Sequence, residues 1–143
     1  MRDELDKQLC EKYPKIFADR HADMRTTAMC WGFEHDDGWY NIIDQLCGNI
    51  QSHIDWVNET REDLLKNNPY NHPIPDEIHQ VVATQIKEKF GTLRFYYNGG
   101  DDVIDGMVRM AESMSGVTCE TCGKPGTTKG PGWIRTLCEE HTK

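Results

Sequence analysis

Four residues near the C-terminus constrain the fold more than any other feature of the chain. Cys119 and Cys122 are separated by two residues, and Cys138 and His141 repeat that spacing 16 positions after Cys122. Two cysteines so spaced can place both sulfurs on one side of a tight turn, where they share an ion. Gly123 supplies the positive φ that such a turn often demands. The intervening segment 124–137, KPGTTKGPGWIRTL, is rich in Gly and Pro and ends in an apolar, strand-like stretch. That is enough chain for a short hairpin closing a tetrahedral Cys3His site. Three ordinary thiols beside a surface histidine, or a Cys119–Cys122 redox pair, are the competing readings. A redox pair sits at a helix start behind a strand, whereas this one follows a helical segment and has a matching second pair. The spacing therefore predicts one structural Zn2+ per chain, because four protein ligands leave no position for a water. Three thiolates and a divalent cation sum to one negative charge, so the ion would not itself attract anions. Its expected work is to order a segment too short and too poor in apolar residues to fold alone, with Trp133 and Ile134 supplying the local core.

At 143 residues the chain fits one compact domain with a small appendage. We divide it into an α+β core over residues 1–116 and a zinc-binding knuckle over 117–143 packed on that core. The beginning, MRDELDKQLCEKYPKIF, is too charged for a secretory signal. No apolar run approaches the roughly 18 residues needed to cross a bilayer. These features predict a cytoplasmic protein, in which cysteines stay reduced or bind metal. Cys10, Cys30 and Cys47 lie among apolar neighbours and read as small buried hydrophobes.

Leu5, Leu9, Tyr13 and Phe17 recur every four residues and predict an N-terminal amphipathic helix ended at Pro14, with Ile16 and Phe17 packing as a loop anchor. Residues 24–33 read as extended or irregular. Glu34-His35-Asp36-Asp37-Gly38 suits a helix N-terminus, where carboxylates accept from free amides. The strongest periodic signal follows. Trp39, Ile42, Ile43, Leu46, Ile50, Ile54, Val57, Leu64 and Leu65 lie near one stripe of a helix running from about Trp39 to Lys66. Asn67-Asn68-Pro69 stops it, and a proline-rich connector leads on. Val81–Phe90 and Thr92–Tyr97 read as two strands of a hairpin joined at Phe90-Gly91-Thr92. Asp101 and Asp102 cap a further helix carrying Val103, Ile104, Met107, Val108, Met110, Ala111 and Met114, which ends at Ser115-Gly116. The expected fold is α+β: a long central helix and a shorter one packed on a β-hairpin, with a C-terminal zinc-ribbon-like knuckle.

Charge separates the classes of partner. The formal net charge is −8, and residues 1–80 hold 16 acidic and 8 basic side chains while 81–143 hold 8 of each. The acidity thus belongs to the N-terminal part. It argues against broad binding to nucleic-acid backbone, which needs a basic footprint, and favours a basic protein partner. In the second half, Lys87, Lys89, Arg94 and Tyr96 could form a cationic, aromatic face for an anionic nucleotide, joined by Arg135; a solvated strand face is the plainer reading. Trp31 or Trp133, if exposed, would become an interface anchor. No GxSxG, phosphate-loop or HExxH pattern is present, so enzymatic activity is the weakest of the three classes: protein-docking inhibitor, nucleotide-sequestering protein, metal-stabilised enzyme.

The run Gln85-Ile86-Lys87-Glu88-Lys89-Phe90-Gly91-Thr92-Leu93-Arg94-Phe95-Tyr96-Tyr97, followed by Gly99-Gly100-Asp101-Asp102, resembles a family of small uncharacterised proteins from bacteriophages and prophages. So do the stretch Met110–Ser115, the Cys119–Gly123 knuckle and the ending from Gly132 to His141. The resemblance covers residues 80–143 closely and the N-terminal half loosely. It brings no activity with it. It implies a phage-encoded protein acting in the bacterial host cytoplasm, where small proteins of this kind often bind and block a host component, including defence systems.

Overall fold

The computed structural model describes residues 1–142. Its order is α1 (Asp3–Lys12), a 3-10 turn (Ala28–Trp31), β1 (Phe33–Glu34), a second 3-10 turn (Asp37–Trp39), α2 (Tyr40–Lys66), β2 (Val82–Lys89), β3 (Thr92–Asn98), α3 (Asp102–Ser115), β4 (Thr127–Lys129), β5 (Arg135–Leu137) and α4 (Glu139–Thr142). The α+β expectation holds, and the long helix runs 27 residues. The sheet has one strand more than the hairpin: β1 pairs parallel to β2, and β2 pairs antiparallel to β3. Residues 24–33, expected to be extended or irregular, hold the first 3-10 turn and reach β1 only at Phe33; a strand of two residues is too short to show alternation. No helix among the described residues is long and apolar enough to cross a membrane.

Register decides what each sheet face carries. Ala83, Ile86, Leu93 and Phe95 share the inner face and are buried with Phe33 of β1. They meet Ile43, Leu46 and Ile50 of α2 and Ile104, Val108 and Ala111 of α3 in a single core. Leu9 from α1 joins it, and Ile16 and Phe17 pack there as the loop anchor that the sequence predicts. Burying each such aliphatic chain contributes about 1.5–3 kcal/mol.

The helical stripe is only partly core. Its fully buried part ends at Ile54; beyond it Val57 packs only partly on the core, Asn58 and Arg61 hold the connector that follows, and Leu65 is exposed. Likewise Val103, Met110 and Met114 of α3 are exposed; Met110 and Met114 line a surface groove with Ile42 and Leu46. Apolar spacing gives a helix its stripe, but how far the neighbouring layer reaches decides how much of that stripe is covered. Of the three scattered cysteines, Cys47 is buried as expected, while Cys10 and Cys30 are half-exposed.

Local chemistry sets the ends of the elements. Asp101 caps α3, its carboxylate accepting from Ile104 N at 3.0 Å. α1 stops at Lys12, before Pro14. After α2 the connector is pinned by Asn58, whose amide accepts from Ile78 N and donates to Ile78 O. Strand β3 is an edge, and α3 covers it: Ser115 Oγ accepts from Leu93 N at 2.8 Å and a Glu112 carboxylate oxygen from Phe95 N at 3.0 Å. Edge amides left open would template pairing with another chain.

Candidate metal centre

Cys119 and Cys122 lie on the turn after α3, Cys138 at the end of β5 and His141 within α4. The segment between the two pairs forms the expected hairpin, with Thr127 opposite Leu137 and Lys129 opposite Arg135. Gly123 has a φ of +83°, as the knuckle turn requires, and its N–H donates to Cys119 O at 2.9 Å.

The four ligand atoms lie within 4.8 Å of one another. Cys122 Sγ is 3.7 Å from Cys138 Sγ, and His141 Nδ1 is 3.7 Å from Cys119 Sγ and 3.2 Å from Cys138 Sγ. A tetrahedral ion with bonds of about 2.3 Å to sulfur and about 2.0–2.1 Å to nitrogen has edges of about 3.8 and 3.6 Å. The arrangement can therefore hold one metal ion with all four positions filled by protein.

The electrostatics agree. Burial alone would raise the Cys119 thiol, but backbone N–H groups of Cys138, Cys122 and Thr121 point at its sulfur and bring it down to about 6. Cys122 is pushed the other way: the Lys124 N–H favours its thiolate, yet desolvation and the neighbouring sulfurs outweigh it. His141 is raised by the sulfurs of Cys138 and Cys119. Desolvation opposes the Cys138 thiolate too, but the backbone N–H and ring of His141 outweigh it and bring that thiol down, so two of the three sulfurs are held toward the thiolate form that a metal ligand needs.

The centre is tied to the body at several points. Trp39 Nε1 donates to Thr118 O at 2.9 Å, Gly38 N to Glu120 O at 2.7 Å, and Thr136 Oγ1 to Gly91 O at 2.6 Å. Glu120 is buried between the first two ligands and accepts from Asp36 N at 3.0 Å. Burial pushes its carboxyl up, against the pull of that amide and of Arg135. At Gly38 the backbones approach so closely that a Cβ would sit 2.1 Å from Cys119 O.

Two expectations need correction here. The Glu34–Asp37 cluster does not cap α2: neither Asp36 nor Trp39 makes a side-chain capping bond. A 3-10 turn intervenes, so Asp36 faces the knuckle instead and pairs with Arg135 at 3.2 Å, while Asp37 accepts from Arg2 N at 2.8 Å. Trp133 is not local core; it is 76 % exposed, with the Arg135 guanidinium 5.7 Å from its ring centre. The hairpin is too small to cover an indole, and Thr136, fully buried, holds the interior position instead.

The basic residues singled out in the sequence are not gathered into one pocket. The cavity beside Arg135 and Trp133 is lined by Met1, Phe33, Glu34, His35, Asp36, Glu88 and Glu120, without Lys89, Arg94 or Tyr96. Those three lie on the outer sheet face, with Lys87 opposite Arg94. Asp36, Gly38, Trp39 and Glu120, which dock the knuckle, carry no signature in the sequence; a glutamate between two metal ligands reads the same exposed or buried.

No protein-family model matches the chain, and no curated protein sequence or solved structure does.

Proposed function

We propose that the chain is a non-enzymatic binding protein, stapled by one structural zinc ion, whose acidic side docks on a basic protein of a bacterial host. Zinc is the ion that a closed Cys3His tetrahedron with these edges suits best, and a site with every position filled by protein has no room for a reacting water. The observation that carries the docking reading is the exposed face of the last three turns of α2. Its solvent face presents Asp55, Glu59, Glu62 and Asp63 on one flank of Trp56, which is 67 % exposed. An exposed indole beside a row of carboxylates is a desolvating anchor with charged surroundings, the composition of a contact surface for a Lys/Arg-rich partner. The resemblance to phage and prophage proteins gives the biological setting: binding would inhibit a host component, with a defence system the leading candidate.

The test is affinity capture from bacterial lysate with the zinc-loaded chain, beside a Trp56→Ala variant and a Glu59→Lys/Glu62→Lys variant. Expected is a basic host protein captured at low salt, released as salt rises, and lost with both variants. Failure to recover a partner at low salt, or a partner indifferent to the charge reversal, refutes the docking surface. Expression of the chain in a strain carrying the captured defence component should restore phage plating.

A further inference from the structure

The outer face of the three-stranded sheet serves neither the core nor the metal centre. Register sets its rows: Gln85 opposite Tyr96, Lys87 opposite Arg94, Lys89 opposite Thr92, with Glu34 beside Lys87 on the parallel strand. None of these side chains is buried. Like charges directly opposite on antiparallel strands repel each other. Nothing in the fold relieves them: among the described residues Lys87, Lys89 and Arg94 make no ion pair, and Glu34 is not within ion-pair distance of any of them. Three unpaired cations in one strip are unexpected on a chain with a net charge of −8.

A second observation is independent of charge. The β2–β3 turn has positive φ at both Phe90 (53°) and Gly91 (86°), the geometry that fits the twist of a two-residue hairpin. Asn, Asp or Gly ordinarily fills the first of these positions, because a bulky side chain is strained in the left-handed region. Phe90 is also 68 % exposed, so burial does not recover that strain; Lys89 Nζ lies 5.7 Å from its ring centre. The backbone of the turn is held by Glu88, whose carboxylate accepts from Gly91 N at 2.7 Å, and by Thr136, but neither contact needs an aromatic side chain at position 90. The face therefore has an aromatic ring at each end, Phe90 at the turn and the 41 % exposed Tyr96 beyond the Arg94 row, with the cations between. The strand from Thr92 to Tyr96 spans about 14 Å.

We propose that this face binds a short single-stranded oligonucleotide, with its phosphates on Lys87, Lys89 and Arg94 and its bases stacked on Tyr96 and Phe90. A run of cations flanked by two aromatic planes suits a short strand whose bases are splayed out, and stacking asks for no particular base. The acidity of the rest of the chain confines the ligand to the strip and excludes long duplex. An acidic peptide would use the cations but leave both rings unmatched. This surface and the α2 docking face share no residue, so the two readings stand or fall separately.

The measurement is fluorescence anisotropy of labelled hexathymidylate with the zinc-loaded full chain at low salt. Saturable binding is expected, with log affinity falling against log salt at a slope of about −2, the value for three neutralised phosphates on a single strand. Lys87→Gln and Arg94→Gln should each weaken binding several-fold and flatten the slope. Tyr96→Ala should weaken it about tenfold at unchanged slope, Tyr96→Phe should retain it, and Trp56→Ala should leave it untouched. Circular dichroism melts of these surface variants at the wild-type temperature confirm that folding is not what is being read. Absence of saturable binding overturns the proposal, as does equal competition by tripolyphosphate or a polyglutamate peptide, or indifference to Tyr96→Ala.

Discussion

Trp39 donates its indole N–H to the carbonyl oxygen of Thr118 across 2.9 Å, so the residue that opens α2 also holds the residue that precedes the first metal ligand. The same seam contains Gly38, whose N–H donates to Glu120 O at 2.7 Å. Helix α2 and the knuckle are 79 positions apart at this bond, and the seam is what makes them one body.

Gly38 is the sharpest test of that seam. An added Cβ would meet Cys119 O at 2.1 Å and Glu120 O at 2.5 Å, both backbone atoms that cannot swing aside. Gly38→Ala is expected to cost about 1–3 kcal/mol through overpacking and to speed metal loss to a chelator, although it touches no ligand. Denaturant unfolding and chelator-challenge kinetics read the two effects. A variant with wild-type values for both would show that the knuckle is not docked as described.

Metal removal gives the second prediction. Elemental analysis should find one zinc per chain, and Cys119→Ser should lose it. Hydrogen exchange over residues 117–142 is then expected to accelerate strongly, while the amides of α2 around Ile43 and Ile50 keep their protection, because their core is apolar and remote from the ion. Unchanged exchange after exhaustive chelation would remove the structural role.

His35 predicts an acid sensitivity with a definite window. Its ring is buried, Nδ1 donates to Asp36 O at 2.7 Å, and Nε2 has no partner among the described residues. Desolvation therefore holds the imidazole neutral, down to about 4. The unfolded histidine takes up a proton near pH 6.5. Between these values the unfolded chain binds a proton that the folded one refuses, so stability falls as pH drops from about 6.5 to 4 and is unaffected above. At pH 5 the loss is about 2 kcal/mol. His35→Asn keeps a donor for Asp36 O without titrating, and the difference in unfolding free energy between pH 7 and pH 5 should shrink by that amount relative to wild type. The metal ligands are common to both chains, so their own acid sensitivity cancels.

The covered edge of β3 is the fourth. Ser115→Ala leaves Leu93 N–H buried with no acceptor and should cost about 1–3 kcal/mol. Glu112→Ala combined with it uncovers Phe95 N–H as well, and the double variant is expected to self-associate through β3 on size-exclusion chromatography. A double variant that stays at the wild-type elution volume would mean that the edge needs no cover.

Sequence reasoning reached the helices, the hairpin and the four ligands because each is written locally: a stripe of Ile42, Ile43, Leu46 and Ile50, an alternation from Thr92 to Tyr97, a repeated two-residue spacing. It misjudged Trp133, Leu65 and Met110 for a shared reason. Periodicity names the apolar side of an element, but coverage depends on a neighbour that lies elsewhere in the chain. Asp36 and Asp37 were misassigned in the same way, since a carboxylate ahead of a helix can cap it or reach across to another element.

What the sequence determined by itself is the short-range chemistry: that Cys119, Cys122, Cys138 and His141 can close on one ion, and that Arg94 and Tyr96 alternate with Leu93 and Phe95. Only the tertiary structure decided what those pieces stand beside. It placed Lys87 opposite Arg94, seated the knuckle on Gly38 and Trp39, and sent Arg135 to Asp36 and Glu120 rather than to Arg94. Register and docking are contacts between distant segments, chosen by the packing of the whole core, and no local pattern encodes them.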